Sequence, residues 1–256
     1  MQPMTVITSD AHMQPVKVLD IPVNCASMDE ALVKIGAFVS SGEQHQVITA
    51  DSSMAVMSRD DIELRNIIEQ ASLVTPDSVG IMWAAHRLNP AITARVSGVE
   101  LVEELCKHSS QQGYSLFFLG AAPGIAQLAC EKMAQRYPGA KMVGAHHGYF
   151  NVSDLQSVID QINVVKPDIL CVAMGIPRQE KWIAAHMHNI RAAVFIGVGG
   201  TFDVLSGTVK RAPKLFQRMK LEWLWRVLAN PKKIGKVMLL PRFVWMVITS
   251  KGRGTR

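Results

Sequence analysis

Two short, uncharged runs rich in β-branched residues constrain the fold of this chain most. They cover residues 169–174 and 192–198, and between them Pro177 marks the start of a helix. Apolar runs of this length, without polar alternation, are typical of parallel strands that are buried on both faces. The sequences GIPRQEKW and GVGGTFD follow these strands, so both should lie at the carboxyl edge of the sheet, where open α/β folds bind their ligands.

The rest of the chain continues the alternation of strand and helix. Further strands are predicted at residues 46–50, 73–75, 114–119 and 141–145, and the capping-box patterns Ser27-x-x-Glu30 and Ser97-x-x-Glu100 mark helix starts. The pattern favours a Rossmann-like α/β domain with a mostly parallel sheet and helices on both faces. We place this domain at residues 16–207, between a flexible N-terminus (1–15) and a basic, helical C-terminal appendage (208–256).

The charge of the chain is divided unevenly between this domain and the appendage. Residues 208–256 hold 13 Lys and Arg against one acidic residue, Glu222, whereas residues 1–207 hold 14 basic and 20 acidic residues. The net charges are therefore +12 and −6. A strongly basic segment points to a polyanionic partner, such as a membrane surface, a nucleic acid or a phosphorylated ligand.

The appendage combines its basic residues with apolar helical patterns. Residues 213–229 read as an amphipathic helix, Pro241 begins another short helix, and three of the five tryptophans lie here, at Trp223, Trp225 and Trp245. No apolar run reaches the length of about 20 residues that crosses a bilayer. Aromatic and basic residues on amphipathic helices favour the headgroup layer of an anionic membrane. The alternative is a basic tail that folds on the body or forms a subunit contact.

The cysteines and the N-terminus bear on the compartment. Cys25, Cys106, Cys130 and Cys171 are widely spaced and show neither a CxxC motif nor Cys/His ligand spacing. This favours buried free thiols in a reducing cytoplasm. Residues 1–15 have no basic start and no apolar core, so no signal peptide is predicted.

Glycine-rich turns follow several of the predicted strands. GAAPG and GVGG place backbone N–H groups where they suit phosphate, although such turns also serve packing alone. No P-loop, complete GxGxxG or DxD pair is present, so chemistry without a metal or a cofactor is expected. His146 and His147 lack ligand partners and are interpreted as a loop pair. The candidate substrate-binding residues of the turns are Gly120, Ala121, Pro123, Gly124, Gly175, Arg178, Gly199 and Gly200.

Four polar elements converge on the same predicted edge: Thr49 with Asp51, Asp77, Gln179 and Asp203. A solvated loop carboxylate is the ordinary explanation for any one acidic residue, but their convergence indicates a site. Asp77, between a proline and a helix start, is best placed to act as a general base. Asp203 could bind substrate, and the interpretation as a structural cap that holds the GVGG loop is slightly favoured.

A series of motifs resembles the WecG/TagA/CpsF glycosyltransferases (glycosyltransferase family 26), in the same order and over about residues 17–245. They read TADSS, LVTPDSVGIMWAAH, RVSGVELVEELC, LFFLGAAPG, KPDILCVAMGIPRQEKW, VGGTFDVLSGTVKRAP and LEWLWRVLANPKK. The resemblance implies metal-independent transfer of a sugar, with inversion, from a UDP donor to a polyprenyl-diphosphate-linked sugar in the synthesis of bacterial surface polysaccharide or teichoic acid. The best known members transfer N-acetylmannosamine, or its uronic acid, to N-acetylglucosamine-diphospho-undecaprenol. The resemblance also implies a peripheral position on the inner face of the plasma membrane, and dimers or larger assemblies.

The resemblance further implies roles for individual residues. Asp77 matches the family's proposed base, and Thr49 and Gln179 match its other polar active-site residues. Arg226 matches a tail arginine thought to reach over the site and stabilise the diphosphate, and Lys233 falls where another basic tail residue is expected. A preorganised cation there would stabilise the negative charge that develops on the departing UDP.

One stretch departs from the family pattern. Where the family usually has Asn followed by Pro-Glu, this chain has Asp51-Ser52-Ser53, so a carboxylate that only accepts hydrogen bonds replaces an amide. The reaction class is retained, but the sugar stays open: an N-acetylmannosamine type or another hexose, including one without an N-acetyl group.

Two alternatives belong to other functional classes. A non-catalytic nucleotide-sugar-binding module would keep the glycine-rich loops but would need neither Asp77 nor Arg226. A nucleic-acid-binding protein would explain the basic tail, but it gives no role to the acidic sheet edge. We therefore expect an enzyme without a nucleic-acid partner.

Overall fold

The alternating pattern folds into two sheets and the helices around them. The computed structural model describes residues 15–90, 92, 94–210, 212–213, 216, 225, 235 and 238–250. The strands are β1 (Val16–Val18), β2 (Ile21–Val23), β3 (His45–Ala50), β4 (Leu73–Pro76), β5 (Ser115–Gly120), β6 (Lys141–His146), β7 (Ile169–Ala173) and β8 (Val194–Gly197). The helices are α1 (Met28–Ser40), α2 (Ser52–Asp60), α3 (Ile62–Gln70), α4 (Val79–Leu88), α5 (Gly98–Gln112), α6 (Ile125–Arg136), α7 (Leu155–Val165), α8 (Arg178–His186), α9 (Thr201–Leu205) and α10 (Leu239–Thr249).

The main sheet is six-stranded and all its pairings are parallel, in the order β4-β3-β8-β7-β5-β6. β1 and β2 form a separate antiparallel hairpin. The residues of β7 and β8 are buried throughout, as expected for central strands covered on both faces. The predicted α/β class, with a parallel sheet between helices, is therefore confirmed.

Side chains that alternate along the strands divide the core between the two faces of the sheet. Phe118 and Ile196 belong to the cluster covered by α1, α5, α6 and α9. Leu119 and Phe195 belong to the opposite face, which α7 and α8 cover. On the first face Phe118 stacks on Phe202 of α9, with ring centroids 4.5 Å apart. This contact anchors the short helix that follows the GVGG turn.

β3 and β8 are neighbours whose following helices cover opposite faces of the sheet. α2 packs in the cluster that contains Ile48 and Val74, whereas α9 packs in the cluster that contains Val47 and Ile196. The carboxyl ends of β3 and β8 therefore border the point where open α/β sheets usually bind a ligand, and we call this place the crevice.

Within the appendage, the structure describes one continuous helix, α10, and this helix packs on α2 and α4. Phe243 and Met246 are buried in the cluster that these helices share with the β1–β2 hairpin. The Arg242 guanidinium lies 3.0 Å from the Asp60 carboxylate of α2. Within the described residues, no helix is both long enough and apolar enough to cross a membrane. Most of the predicted helix at 213–229 lies outside the described residues, as do residues 1–14.

Element boundaries differ from the predictions by one or two residues. The capping box of Ser27 and Glu30 is confirmed at the start of α1. α8 begins at Arg178, with Pro177 at the N-cap position, and α10 begins two residues before Pro241. Helix ends are set by local capping, which sequence patterns locate only approximately.

The four cysteines are free thiols, as predicted. Cys106, Cys130 and Cys171 are buried, and Cys25 is half-buried. Burial raises the pKa of the Cys106 thiol to about 12 and that of the Cys130 thiol to about 11, so both stay protonated and unreactive near neutral pH.

Gly120 provides a test of the packing at the end of β5. Its φ is +133°, and an added Cβ would lie 2.5 Å from the Ala173 carbonyl carbon in β7. We expect Gly120→Ala to lower the free energy of unfolding by about 2–4 kcal/mol, because both the backbone conformation and the neighbouring strand oppose a side chain. Urea denaturation followed by circular dichroism measures the change.

Gly36→Ala is the matched control. Nothing lies within 4 Å of its Cβ position in α1, so this substitution should stabilise the protein by about 0.5–1 kcal/mol. Equal stability of the Gly120→Ala and Gly36→Ala variants would contradict the packing argument.

Candidate active site

Asp77 lies in the turn between β4 and α4, and main-chain hydrogen bonds fix it on two sides. Its N–H donates to the Ala50 carbonyl at the end of β3 (3.0 Å), and its Oδ1 accepts from the Gly98 N–H (2.8 Å). Gly98 is the first residue of α5, so the carboxylate satisfies an amide at a helix N-terminus, where negative charge is favourable. The half-buried carboxylate is thereby held in place at the carboxyl edge of the sheet.

The predicted capping box at Ser97 is correct in its position and wrong in its hydrogen bond. Ser97 occupies the N-cap position of α5, but its buried hydroxyl makes no capping hydrogen bond. The first amide of the helix, that of Gly98, donates instead to Asp77, which is 21 residues before Gly98 in the chain. A capping box uses the amide of the third helical residue, so this long-range contact is separate from the predicted local pattern.

Thr49 joins the two strands that border the crevice. It is buried in β3, and its hydroxyl donates to the Gly197 carbonyl of β8 (2.8 Å). Its Oγ1 also lies 3.6 Å from the position that a Cβ on Gly98 would occupy. Thr49 therefore lies beside the contact between Asp77 and α5, and its role in a site stays a prediction.

Thr201, which the sequence analysis did not single out, lies beside the same glycine. Its buried hydroxyl donates to the Val198 carbonyl (2.6 Å) and lies 3.5 Å from the same Gly98 Cβ position. It is the first residue of α9, directly after the GVGG turn. A hydroxyl residue at a strand-to-helix turn is the signal that could have identified it.

Gln179 ties two of the glycine-rich loops together. Its Oε1 accepts from the N–H groups of Gly175 (3.0 Å) and Gly199 (2.9 Å), which follow β7 and β8. Its Nε2 donates to Oε1 of Glu180 (2.7 Å), and both side chains are buried. Gln179 therefore sets the distance between the two loops, and its backbone position in the first turn of α8 fixes both to that helix.

Asp51 caps α2. It directly follows Ala50, whose carbonyl accepts the hydrogen bond from the Asp77 N–H. Its Oδ1 accepts from the Met54 N–H (2.8 Å) and from the Ser53 hydroxyl (2.6 Å). The Asp51-Ser52-Ser53 sequence that departs from the family pattern is thus a self-contained N-cap. It brings a second carboxylate to the tip of the strand next to Asp77, in a half-buried position.

The GAAPG turn packs against β7 and against the exit of β6. The Ala121 N–H donates to the Ala173 carbonyl (2.8 Å), and the Ala121 carbonyl accepts from the Gly148 N–H (2.9 Å). Gly124, with φ +81°, is the N-cap of α6, and it is exposed like Pro123. The start of a twelve-residue helix therefore faces solvent at the same edge, as an anion-binding turn requires.

The remaining loop residues lie beside this turn. Gly175 (φ +77°) and Gly199 (φ +56°) adopt backbone conformations that favour glycine, with open space at their Cβ positions. Gly200 is exposed at the N-cap of α9. The exposed Arg178 donates from its guanidinium to the Gly148 carbonyl (3.1 Å), which places a cation between α8 and the loop after β6.

Asp203 lies inside α9 rather than before it. Its carbonyl accepts from the Val209 N–H (2.9 Å) and from the Ser206 hydroxyl (3.1 Å), so its main chain secures the turn that follows α9. The GVGG loop is held through Gly199 by Gln179. The role of the Asp203 side chain stays a prediction.

Arg226 and Lys233 lie outside the described residues. Among the residues that the structure describes, no three His, Cys, Asp or Glu side chains are grouped closely enough to hold a metal ion. His146 and His147 contact each other, with ring centroids 4.5 Å apart. Metal-independent chemistry stays a prediction from the sequence.

The arrangement at this edge suits transfer of a group that leaves as an anion. A positioned carboxylate can take a proton from an attacking hydroxyl, and helix N-termini with a nearby guanidinium can stabilise negative charge. The structure brings Thr49, Asp51, Asp77 and Gln179 to one edge together with the glycine-rich loops.

The chain matches known proteins over almost its whole length. The sequence model of the glycosyl transferase WecG/TagA/CpsF family matches residues 16–256. N-acetylglucosaminyldiphosphoundecaprenol N-acetyl-beta-D-mannosaminyltransferase of Staphylococcus aureus (strain NCTC 8325 / PS 47) is 31% identical over 238 residues, which cover 92% of this chain and 93% of that protein. The protein of the same description from strain MRSA252 shows the same identity and coverage.

Gln179→Ala tests whether the loops that Gln179 joins bind a nucleotide. The substitution removes the acceptor of two amides, so we expect binding of UDP to weaken about tenfold, equivalent to about 1.4 kcal/mol. Isothermal titration calorimetry with UDP measures this change.

Gln44→Ala is the matched control, because Gln44 also ties main-chain segments together but does so at the amino end of β3. Its Nε2 donates to the carbonyls of Met187, Ile190 and Ala192. UDP affinity should be unchanged in this variant. An equal loss of affinity in both variants would indicate a general loosening of the fold.

Proposed function

Because the chain belongs to the WecG/TagA/CpsF family of glycosyltransferases, we propose that it transfers a hexose from a UDP-sugar to a polyprenyl-diphosphate-linked N-acetylglucosamine acceptor. The product would enter bacterial cell-surface polysaccharide or teichoic acid. The names of the Staphylococcus relatives support the acceptor. The observation that carries the proposal is the Asp77 carboxylate, held by the Gly98 amide at the crevice between β3 and β8.

Asp77 is the general base in this proposal. It takes the proton from the acceptor hydroxyl as that oxygen attacks the anomeric carbon of the donor. The bond between the anomeric carbon and the diphosphate oxygen breaks, and UDP leaves with the electron pair. Attack opposite to the leaving group inverts the anomeric configuration.

The leaving diphosphate gains negative charge, and this chain offers several groups to stabilise it. The exposed N-terminus of α6 and the Arg178 guanidinium lie beside the GAAPG turn. Arg226 and Lys233 would add cations from the appendage, in keeping with its net charge of +12. With these groups the proposed reaction needs no metal ion.

Asp51 is the proposed contact for the sugar. One of its oxygens caps α2, and the carboxylate accepts hydrogen bonds without donating any. It therefore suits hydroxyl or N–H groups of an N-acetylmannosamine-type sugar or another hexose.

The appendage is proposed to bind the anionic inner face of the plasma membrane, where a polyprenyl-linked acceptor resides. α10 supports this. Opposite its buried side, Pro241, Val244, Trp245 and Ile248 form an exposed stripe at the i, i+3, i+4, i+7 spacing of one helix face. Such a face suits the boundary between headgroups and acyl chains. The division into a catalytic domain (16–207) and an appendage (208–256), and assembly into oligomers, belong to the same proposal.

The decisive experiment measures UDP release from a panel of UDP-sugars, with and without a lipid-diphosphate N-acetylglucosamine acceptor in liposomes. Acceptor-dependent release from one donor establishes the transferase and identifies the sugar. UDP binding without release under all conditions supports a nucleotide-sugar-binding module. Salt-sensitive binding to arbitrary DNA or RNA, with no release, supports the nucleic-acid alternative.

Asp77→Asn tests the general base. Asparagine retains an acceptor for the Gly98 amide, so the variant should fold and bind UDP, but its kcat should fall by about 100-fold or more. Acceptor-dependent UDP release measures kcat. The control is Asp160→Asn, on the exposed surface of α7, which should keep wild-type turnover. Unchanged turnover in Asp77→Asn would remove Asp77 as the base.

A double substitution in α10 tests the membrane contact. Trp245→Ser with Ile248→Ser removes large side chains from the exposed stripe of α10, and sedimentation with anionic vesicles should fall about tenfold or more. Val152→Ser is the matched control, because Val152 is 90% exposed but lies beside α7. Equal sedimentation of both variants would exclude α10 as the membrane contact.

A further inference from the structure

The C-terminal helix touches the part of the protein that holds the proposed base. Phe243 of α10 is fully buried, and its Cε1 lies 3.3 Å from the position that a Cβ on Gly80 would occupy. Gly80 is in the first turn of α4, three residues after Asp77. A ring edge from the appendage therefore packs beside the first turn of α4, which begins two residues after Asp77.

Two serines continue this contact to the Asp77 turn. The Ser52 hydroxyl shares the space beside Gly80 with Phe243, and it lies 3.0 Å from the Ser78 hydroxyl. Ser78 also accepts from the Ser52 N–H (3.1 Å) and caps α4 by accepting from the Ile81 N–H (3.2 Å). The starts of α2 and α4 are thus joined next to Asp77, and Phe243 covers the junction.

The absence of a side chain at Gly80 is what permits this packing. An added Cβ would collide with Ser52 Oγ and would press on the Phe243 ring, whereas Ser52 Cβ lies at an ordinary 3.4 Å. The junction is therefore close-packed, and closely packed groups transmit small displacements instead of absorbing them. A shift of Phe243 would displace Ser52 and Ser78, and through Ser78 it would also displace Asp77.

We infer that Phe243 is a positioning residue for Asp77, which makes α10 a structural component of the active site. Phe243 does not touch the reacting atoms. It acts through Gly80, Ser52 and Ser78, and keeps the carboxylate against the Gly98 amide. The inference rests on the proposed role of Asp77 as the base.

Phe243→Leu tests the inference with two readouts. Leucine keeps an apolar side chain but removes the ring edge, so kcat should fall about tenfold, because misplacement of a catalytic group by a fraction of an ångström to 1 Å costs up to about 100-fold. KM for the donor should change less than about twofold, since uniform donor binding is unaffected. Hydrogen exchange at the Gly98 amide should accelerate about tenfold as its bond to Asp77 weakens.

Met246→Ala is the control for a general loss of packing. Met246 is buried on the same side of α10, and its truncation to alanine weakens the attachment of α10 at least as much as Phe243→Leu does. If Phe243 acts only by attaching α10 to the body, Met246→Ala should lose kcat and Gly98 protection at least as strongly as Phe243→Leu, and that result would overturn the inference. A specific role predicts wild-type kcat and Gly98 exchange in Met246→Ala.

A second test changes Gly80 and Ser52 instead of Phe243, so it does not depend on whether Phe243 variants fold. Gly80→Ala should lower kcat about tenfold, because the new Cβ displaces Ser52 Oγ. Adding Ser52→Ala removes that oxygen, so the double variant should recover the kcat of Ser52→Ala alone. Additive losses would show that the two residues do not act through one junction.

The proposed function and the positioning role of Phe243 have separate outcomes in these experiments. A wild-type protein without acceptor-dependent UDP release would overturn the proposed function. An active wild type, with full kcat and unchanged Gly98 exchange in Phe243→Leu and Gly80→Ala, would overturn the positioning role and leave the proposed function intact.

Discussion

The hydrogen bond from the Gly98 amide to the Asp77 carboxylate is the interaction on which the rest of the site depends. It joins the end of β4 to the start of α5, and Thr49 and Thr201 pack around the same glycine. A carboxylate that satisfies a helix N-terminus is stabilised where it stands, so its position at the crevice requires no substrate. The same hydrogen bond positions Asp77 for its proposed role as the base and satisfies the buried Gly98 amide at the start of α5. The fold and the proposed reaction therefore share one contact.

Gln179 has the corresponding role on the other side of the crevice. A parallel sheet places the loops after β7 and β8 side by side, but adjacency alone leaves their separation free. The Gln179 amide oxygen accepts from both loops and fixes this distance. Buried side chains with all their polar atoms paired are rigid, because leaving any partner unpaired is costly. The two loops can therefore bind an anionic group with little loss of conformational entropy.

Most of the fold could be predicted from the sequence because burial on both faces and helical periodicity are local signals. The edge residues Thr49, Asp77 and Gln179 could be predicted because each follows an apolar run. Contacts between distant segments could not. The hydrogen bond between the Gly98 amide and Asp77 joins residues that are 21 positions apart, and the place of Thr201 beside Gly98 appears only in the folded chain. The packing of α10 on α2 and α4 agrees with the alternative of a tail folded on the body, but an amphipathic pattern does not identify the helices it packs against.

α10 differs from an ordinary surface helix because both of its sides are apolar. Phe243 and Met246 face α2 and α4, while Trp245 (66% exposed) and Ile248 face outward. A helix packed only against the body would carry polar residues on the outside. A helix that only bound a membrane would not require the close packing of the Phe243 ring against Gly80. The two faces together place one rigid element between the membrane contact proposed for the appendage and the turn that carries Asp77. Under these proposals, one helix would both orient the acidic body at an anionic surface and complete the packing around Asp77.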